Sequence, residues 1–324
     1  MIDCAGIFYA EGTGHKKTIT SGKGKVKQQD LTLGFRSEKG IDAAQEPLYG
    51  DHETVQRFKQ FKRFKWFFPM IDIHCHILPG LDDGPENFQG TLEMCRMAVD
   101  CGITSVFATP HLYNSLFTTN RASILDVYEE TRAALESEGV PLSLYLGADL
   151  HLVPDLGEKI LKNQALTLNN SRYFLLELPS TILPPNLDQV VQKMISDSFV
   201  PIITHPERNP VILKREEILF DLLEQGALCQ ITAMSLTGEF GKDCERFACR
   251  MLEAGAVHFI ASDAHSTGWR KPDLCPAVSV AEQIIGAEDA RRLVKDYPEA
   301  ILSGGGIGPV SVKRPPKPKR FWFF

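Results

Sequence analysis

From residue 70 onward, short runs of apolar and β-branched residues alternate with longer stretches whose apolar positions recur at helical spacing. The runs cover 70–74, 104–109, 143–147, 173–178, 200–204, 227–232 and 257–262. Helical patterns lie near 88–101, 121–138, 155–163, 186–198, 214–225, 239–254 and 276–296. Apolar strands separated by amphipathic helices predict parallel βαβ units, because a strand covered on both faces needs no polar alternation. Seven such units between 70 and 304 suit an α/β barrel, closed or nearly so, better than an open sheet. No internal repeat is found.

The flanks read differently. Residues 1–57 show little periodicity and are rich in Gly, Lys, Thr and Gln, a composition that predicts poor order. Residues 58–68 and 317–324 interleave basic and aromatic side chains. Weak attachment to an anionic membrane surface is one reading of these segments. A flexible extension, or upstream sequence from a start site placed too early, is the other, with Met70 as a sensible start. The expected organisation is a basic extension over 1–69, one α/β domain over 70–304 and a basic, aromatic tail over 305–324.

Charge sharpens this division. The first 69 residues carry 12 basic and 8 acidic side chains, and 309–324 carry five basic and no acidic ones, which leaves −15 on the remainder within a total of −6. So acidic a centre argues against nucleic acid as its substrate. The eight cysteines form no C-x-x-C pair and suggest neither a disulfide framework nor a zinc knuckle. Scattered thiols fit a reducing cytosol, and neither a membrane-spanning run nor a secretory leader is evident. A cytoplasmic location is expected.

Six of the seven predicted strands finish in His, Asp or Glu. The first ends in Ile73-His74-Cys75-His76, with Asp82 and Asp83 in the Gly/Pro-rich loop beyond it. The others end in Thr109-Pro110-His111, Ala148-Asp149-Leu150-His151, Leu176-Glu177-Leu178, Thr204-His205-Pro206-Glu207-Arg208 and Ser262-Asp263-Ala264-His265. In a parallel barrel these ends converge on one rim, where active sites are built. A lone His-x-His or Asp-x-His means little. Agreement across six strand ends points to a metal centre made of His74, His76, Asp83, His111, Asp149, Glu177, His205, Asp263 and His265. His151 flanks the set. His258, at the start of its strand, and His15 and His52, in the extension, read as structural or exposed.

Nine mixed imidazole and carboxylate ligands exceed the needs of one ion. They suit two or three of Mn²⁺, Fe²⁺ or Zn²⁺. Clustered divalent ions favour phosphate ester hydrolysis, because they acidify water and neutralise phosphoryl oxygens. Arg208 and Arg270, close to His205 and His265 in the chain, are placed to contact phosphate.

Met70-Ile-Asp-Ile-His-Cys-His-Ile-Leu-Pro-Gly-Leu-Asp-Asp-Gly-Pro resembles the opening motif of the PHP (polymerase and histidinol phosphatase) superfamily. Ala108–His111, Thr204–Arg208, Ser235–Gly238 and Phe259–His265 extend the likeness, over roughly 70–304, to the bacterial manganese-dependent protein-tyrosine phosphatases of the CpsB/YwqE type. That resemblance implies a distorted (β/α)7 barrel holding three metals, usually manganese. It also implies action on phosphotyrosine of an autophosphorylated bacterial tyrosine kinase that controls capsule or exopolysaccharide synthesis. By the same resemblance His74, His76 and Asp263 hold one metal, and Glu177 and His205 a second with Asp149 bridging. Asp83, His111 and His265 hold the third, and Arg208 and Arg270 contact phosphate. Two departures stand out. The bridging position is often Glu, and here it is Asp149. The family's Asn after Asp-Ala-His and later Arg-Pro-Pro read here as Ser266-Thr-Gly-Trp-Arg-Lys-Pro272.

The alternatives are a phosphatase for a small metabolite such as histidinol phosphate and a non-catalytic PHP module that binds a partner. Cys244-Glu-Arg-Phe-Ala-Cys-Arg250 fits the bare cysteine-phosphatase pattern C-x5-R. It lacks the glycine-rich loop that such chemistry needs and reads as mid-helix. The residues leave the assembly state open, a homo-oligomer included.

Overall fold

The six residues of the first strand, Met-Ile-Asp-Ile-His-Cys, are all buried. A strand covered on both sides belongs inside an α/β layer structure, and the rest of the chain is built around it. The structure is a computed structural model that describes residues 68–308 and 312–314. The readings made for 1–67 and for 315–324 lie outside the described residues.

In chain order the strands are β1 (Met70–Cys75), β2 (Ile103–Ala108), β3 (His111–Leu112), β4 (Ser143–Leu146), β5 (Asp149–His151), β6 (Tyr173–Glu177), β7 (Val200–Thr204), β8 (Leu228–Thr232) and β9 (Phe259–Ala261). All neighbouring pairs are parallel, in the orders β1-β2-β4 and β3-β5-β6-β7-β8-β9. The second and third expected strands are therefore each split in two. The break falls where Pro110 has no N–H to give to a ladder. The pairing nevertheless continues across it, because Gly147 N donates to Ala108 O (3.0 Å) and Asp149 N to Pro110 O (3.1 Å). Counted this way the strands among the described residues number seven.

Closure comes from the meeting of β9 and β1. Beyond the ladder proper, Cys75 and Ala264 form an isolated parallel bridge. His76 N donates to Ala264 O (2.9 Å) and Asp263 N to His74 O (2.8 Å). Deeper in, the carboxylate of Asp72 accepts from both the N–H and the hydroxyl of Ser262. A side chain thus replaces ladder bonds on part of this seam, and the result is a distorted (β/α)7 barrel.

The connecting segments include α1 (Phe88–Asp100), α2 (Arg121–Ser137), α3 (Leu156–Leu161), α4 (Leu187–Ser196), α5 (Pro210–Lys214), α6 (Glu217–Glu224), α7 (Ala233–Leu236), α8 (Lys242–Glu253) and α9 (Cys275–Ile285). Asn87 caps α1 by accepting from Gly90 N, and Asn120 with Ser123 makes a reciprocal capping box on α2. The expected single helix over 276–296 is not continuous. Gly286 at φ +87° ends α9, and Ala287–Arg291, a π turn over Arg292–Asp296 and a last helix over Tyr297–Leu302 follow. A glycine adopts that left-handed backbone without a Cβ clash, so the apolar period runs on while the helix does not.

Two apolar layers result. One lies inside the barrel and includes Ile71, Ile73, Phe107, Tyr173, Leu175, Ile202, Leu228, Phe259 and Ala261. The other, larger, lies between strands and helices. Alternation along the strands then fixes the site: Glu177 follows Tyr173 and Leu175 on the inward face of β6, and Asp263 follows Phe259 and Ala261. Strand β1 departs from strict alternation, since its register against β2 shifts between Asp72 and Cys75. At the opposite end, the Tyr173 hydroxyl donates to Gly305 O (3.1 Å) and accepts from Ile307 N (3.1 Å). The described part of the tail is also held: Lys313 N donates to Ala254 O, and Arg314 pairs with Asp221 and Glu224.

Candidate metal centre

His74, His76, Glu177, His205, Asp263 and His265 lie at or just beyond the carboxyl ends of strands, His111 and Asp149 open the short β3 and β5 that continue β2 and β4, and Asp83 reaches in from the loop after β1. Three overlapping groups place ligand atoms within 4.8 Å of one another: His76, Asp83, His111 and His265; His74, His76 and Asp149; and His111, Asp149 and Glu177. Asp263 Oδ1 stands 3.5 Å from Nε2 of both His74 and His76. His205 falls in none of these groups, and its ring centroid is 5.7 Å from that of His74.

Several contacts within the groups are close without being hydrogen bonds. His111 Nδ1 is 3.4 Å from Asp149 Oδ2 and 3.5 Å from Glu177 Oε2, and His265 Nε2 is 3.2 Å from Asp83 Oδ1. Yet His111 Nδ1, His265 Nε2 and Asp149 Oδ2 are buried with no hydrogen-bond partner. Unsatisfied buried polar atoms are rare and costly. Ligands about 2.0–2.2 Å from a common ion sit roughly 3–3.5 Å from each other, so this spacing fits divalent ions.

Tautomers make the case stronger. His76 Nδ1 is 2.7 Å from the Asp82 carboxylate, which can only accept, and His74 Nδ1 is 3.1 Å from Gln230 Oε1. Both Nδ1 atoms therefore carry the hydrogen, which makes Nε2 the lone-pair nitrogen of each neutral ring. These Nε2 atoms face each other at 3.1 Å. Two opposed lone pairs repel unless a cation sits on them, and a partner on the far nitrogen is how proteins orient a metal-binding imidazole.

The electrostatics agree. Burial, joined by the neighbouring His265, lowers His76, and burial together with Arg208 brings His205 down to about 4. Both are neutral and able to donate a lone pair near pH 7. Burial would lower His111 too, but the close carboxylates of Asp149, Glu177 and Asp82 outweigh it and raise it to about 10. Several carboxylates around one imidazole form a field that binds positive charge. Asp149 and Asp263 are fully buried, and burial opposes their ionisation. The surrounding histidines, with Arg270 and Arg208 beside Asp263, outweigh burial and hold both carboxyls low.

Both arginines expected at phosphate converge on Asp263. Arg208 pairs with Asp263 Oδ2, and Arg270 reaches the same oxygen at 2.7 Å and Asp83 at 4.0 Å. His205, Asp263 and Arg270 all have positive φ (33°, 50° and 63°). Such strain in non-glycine residues gathers at functional sites. The carboxylate of Glu207 secures the turn that carries Arg208, accepting from Thr232 N (2.9 Å) and the Ser235 hydroxyl (2.7 Å). His151 bonds Glu177 Oε2 at 3.0 Å and flanks the groups.

Sequence reasoning did not assign roles to Asp82, Gln230 or Glu207. Gln230 could have been found: β8 is the one strand without a terminal ligand, and Gln230 shares its inward face with Leu228. Cys244 and Arg250 lie within α8, and burial raises the Cys244 thiol. That is the reverse of what a nucleophilic cysteine needs.

A parallel α/β barrel whose carboxyl rim gathers histidines and carboxylates in overlapping ligand groups defines a metal-binding protein of the PHP class. More narrowly, the chain belongs to the CpsB/CapC family of capsular polysaccharide synthesis, which matches residues 70–303. It is similar to the tyrosine-protein phosphatase YwqE of Bacillus subtilis (strain 168), with 36% identity over 259 residues, covering 79% of this chain and 100% of that protein. It is also similar to the tyrosine-protein phosphatase CpsB of Streptococcus pneumoniae, with 27% identity over 238 residues, covering 72% and 98% respectively. A crystal structure from work on YwqE and CpsB as "unique metal-dependent tyrosine phosphatases" matches with a TM-score of 0.73 and 34% identity, over 76% of this chain and all of that one.

Proposed function

We propose that this chain is a metal-dependent tyrosine-protein phosphatase, with manganese as its metal and a phosphotyrosine-bearing protein as its substrate. The reading extends to an autophosphorylated bacterial tyrosine kinase of capsule or exopolysaccharide synthesis as that protein, and to action in the cytoplasm. The observation that carries the metal chemistry is the confrontation of the His74 and His76 lone pairs beside Asp263. The substrate class rests on the named relatives. The cytoplasmic setting is supported by free thiols at Cys75, Cys95, Cys101, Cys229, Cys244 and Cys249. No helix among the described residues is long and apolar enough to cross a membrane.

On the family likeness, the reading assigns three ions: His74, His76 and Asp263 for one, Glu177 and His205 with shared Asp149 for the second, and Asp83, His111 and His265 for the third. His76 and His111 each lie in two of the geometric groups, which supports closely spaced ions. Mixed nitrogen and carboxylate donors suit manganese. When bound, such ions acidify water and neutralise charge on a phosphoryl group. The chain supplies the rest. Arg208 and Arg270 present guanidinium donors to phosphate oxygens, and Asp263 holds both in place. Asp82 and Gln230 keep the protons of His76 and His74 on Nδ1. The buried floor of Leu175, Ile202 and Ala261 excludes water from below.

The test is metal analysis joined to a phosphosubstrate panel. With Mn²⁺ the protein is expected to hydrolyse phosphotyrosine peptides, to lose that activity with chelator or in His74→Ala, and to keep it in Cys244→Ser. Chelator-resistant hydrolysis would overturn the mechanism. Preference for histidinol phosphate over every phosphotyrosine peptide would overturn the substrate class.

A further inference from the structure

We propose that Trp269, backed by Phe240, forms the subsite that receives the aryl ring of the phosphotyrosine substrate; this rests on the phosphatase reading above. Trp269 is 62% exposed, one of few large apolar side chains so placed among the described residues. It sits one residue before Arg270, at the rim of a cavity of about 490 Å³. Asp83 and His265, both of the ligand groups, line this cavity, as do Arg270, Trp269 and, from the loop after β1, Gly84 and Pro85. A phosphate seated at Arg270 and the ligand groups thus has an aromatic wall within the same space.

The aromatic wall is continuous with the arginines on its other side. The rings of Trp269 and Phe240 meet edge to face, with centroids 5.5 Å apart at 66°. The Arg208 guanidinium lies over Phe240 at 4.5 Å from its centroid. Arg208 and Arg270 meet at Asp263, so cation, ring, ring and cation form a chain around the mouth. Trp269 is held there by its own loop: its carbonyl accepts from the Ser266 hydroxyl, while Arg270 O accepts from His265 N (2.8 Å) and Ser266 N (3.2 Å).

The chemistry of the ligand selects the occupant. In phosphotyrosine a flat ring separates phosphate from backbone, so the ring occupies the space that Trp269 borders. In phosphoserine the phosphate hangs on one carbon, and that space would have to take backbone. Contact between two aromatic rings discriminates for the first.

The experiment uses the full chain loaded with Mn²⁺, in wild type, Trp269→Ala and Trp269→Phe. The kcat/KM for a phosphotyrosine peptide is divided by that for a phosphoserine peptide of the same sequence. The ratio is expected to fall about tenfold in Trp269→Ala, mainly through the KM for phosphotyrosine, and to recover largely in Trp269→Phe. In a parallel binding readout, phenylphosphonate is expected to change the tryptophan emission of wild type but not of Trp269→Phe, with methylphosphonate as control. An unchanged ratio in Trp269→Ala overturns the subsite and leaves the phosphatase reading standing. Wild-type protein that turns over no phosphotyrosine peptide overturns both.

Discussion

Gln230 holds the imidazole of His74 through a 3.1 Å contact to Nδ1, from the one barrel strand that contributes no ligand of its own. The glutamine is fully buried. Its amide thus completes the carboxyl rim from beneath, by fixing which nitrogen of His74 is free.

Gln230→Leu removes that constraint while preserving bulk. Loss of a partner behind a metal-binding histidine costs roughly 10–100-fold in metal affinity or activity. Titration of Mn²⁺ against the variant should show a weakening of that size, with a thermal midpoint without metal close to that of wild type. Unaltered affinity would remove Gln230 from the centre.

Arg208→Lys keeps the charge but loses the planar fork that touches Asp263 and stacks on Phe240. Lysine is a poor substitute where a guanidinium both stacks and forms paired bonds. The variant is expected to lose about 100-fold in kcat/KM on phosphotyrosine peptides while retaining its metal, which elemental analysis of the same sample would check.

Glu207 separates two kinds of contribution. Its Oε1 serves Thr232 N and Ser235, whereas the buried Oε2 has no partner. Burial raises its carboxyl. Glu207→Gln keeps an acceptor at Oε1 and removes the buried charge, so it should be nearly neutral. Glu207→Ala leaves two buried donors unserved and is expected to cost about 2 kcal/mol, a drop of about 4–8 °C in Tm. Calorimetry of the two variants tests the difference.

His258 lies outside the centre, where its Nδ1 accepts from Cys229 N at 3.2 Å. Burial lowers it to about 4. An unfolded histidine takes up its proton near 6.5, so the unfolded state binds more protons between these values. Stability from this group is complete above pH 6.5 and is lost as pH falls toward 4, by up to about 3 kcal/mol. His258→Asn keeps an acceptor without the titration. Denaturant unfolding of wild type should show a steeper acid loss than the variant across that window.

Much of this was legible in the sequence because the barrel imposes it. His74, Asp149, Glu177 and Asp263 announce themselves as the polar ends of apolar runs, and a parallel barrel has one carboxyl rim on which to gather them. What was hidden depends on three-dimensional neighbours. The split of two strands around Pro110 leaves no trace in hydrophobicity, since the ladder resumes on the far side. Gly286 ends a helix whose apolar period continues. Gln230 and Glu207 act through other residues, and glutamine carries no mark of chemistry in a sequence. His205 lies within electrostatic reach of both Asp149 and Glu177, with its ring 5.7 Å from that of His74, on a left-handed backbone that no sequence pattern announces. The assignment of ligands to particular ions rested on family likeness, and the overlap of the three groups through His76, His111 and Asp149 shows why spacing alone could not divide them.

Among the described residues, the junction of β1 with β9 is where the barrel relies on an isolated bridge and on the Asp72 carboxylate in place of an uninterrupted ladder. It is also flanked by His74 and His76 on one side and Asp263 and His265 on the other. A cation shared by these residues would act as a clasp, fastening the first segment of the domain to the last. Loading with metal should then slow amide exchange most along that join, and stripping it should let the barrel gape there before it melts elsewhere.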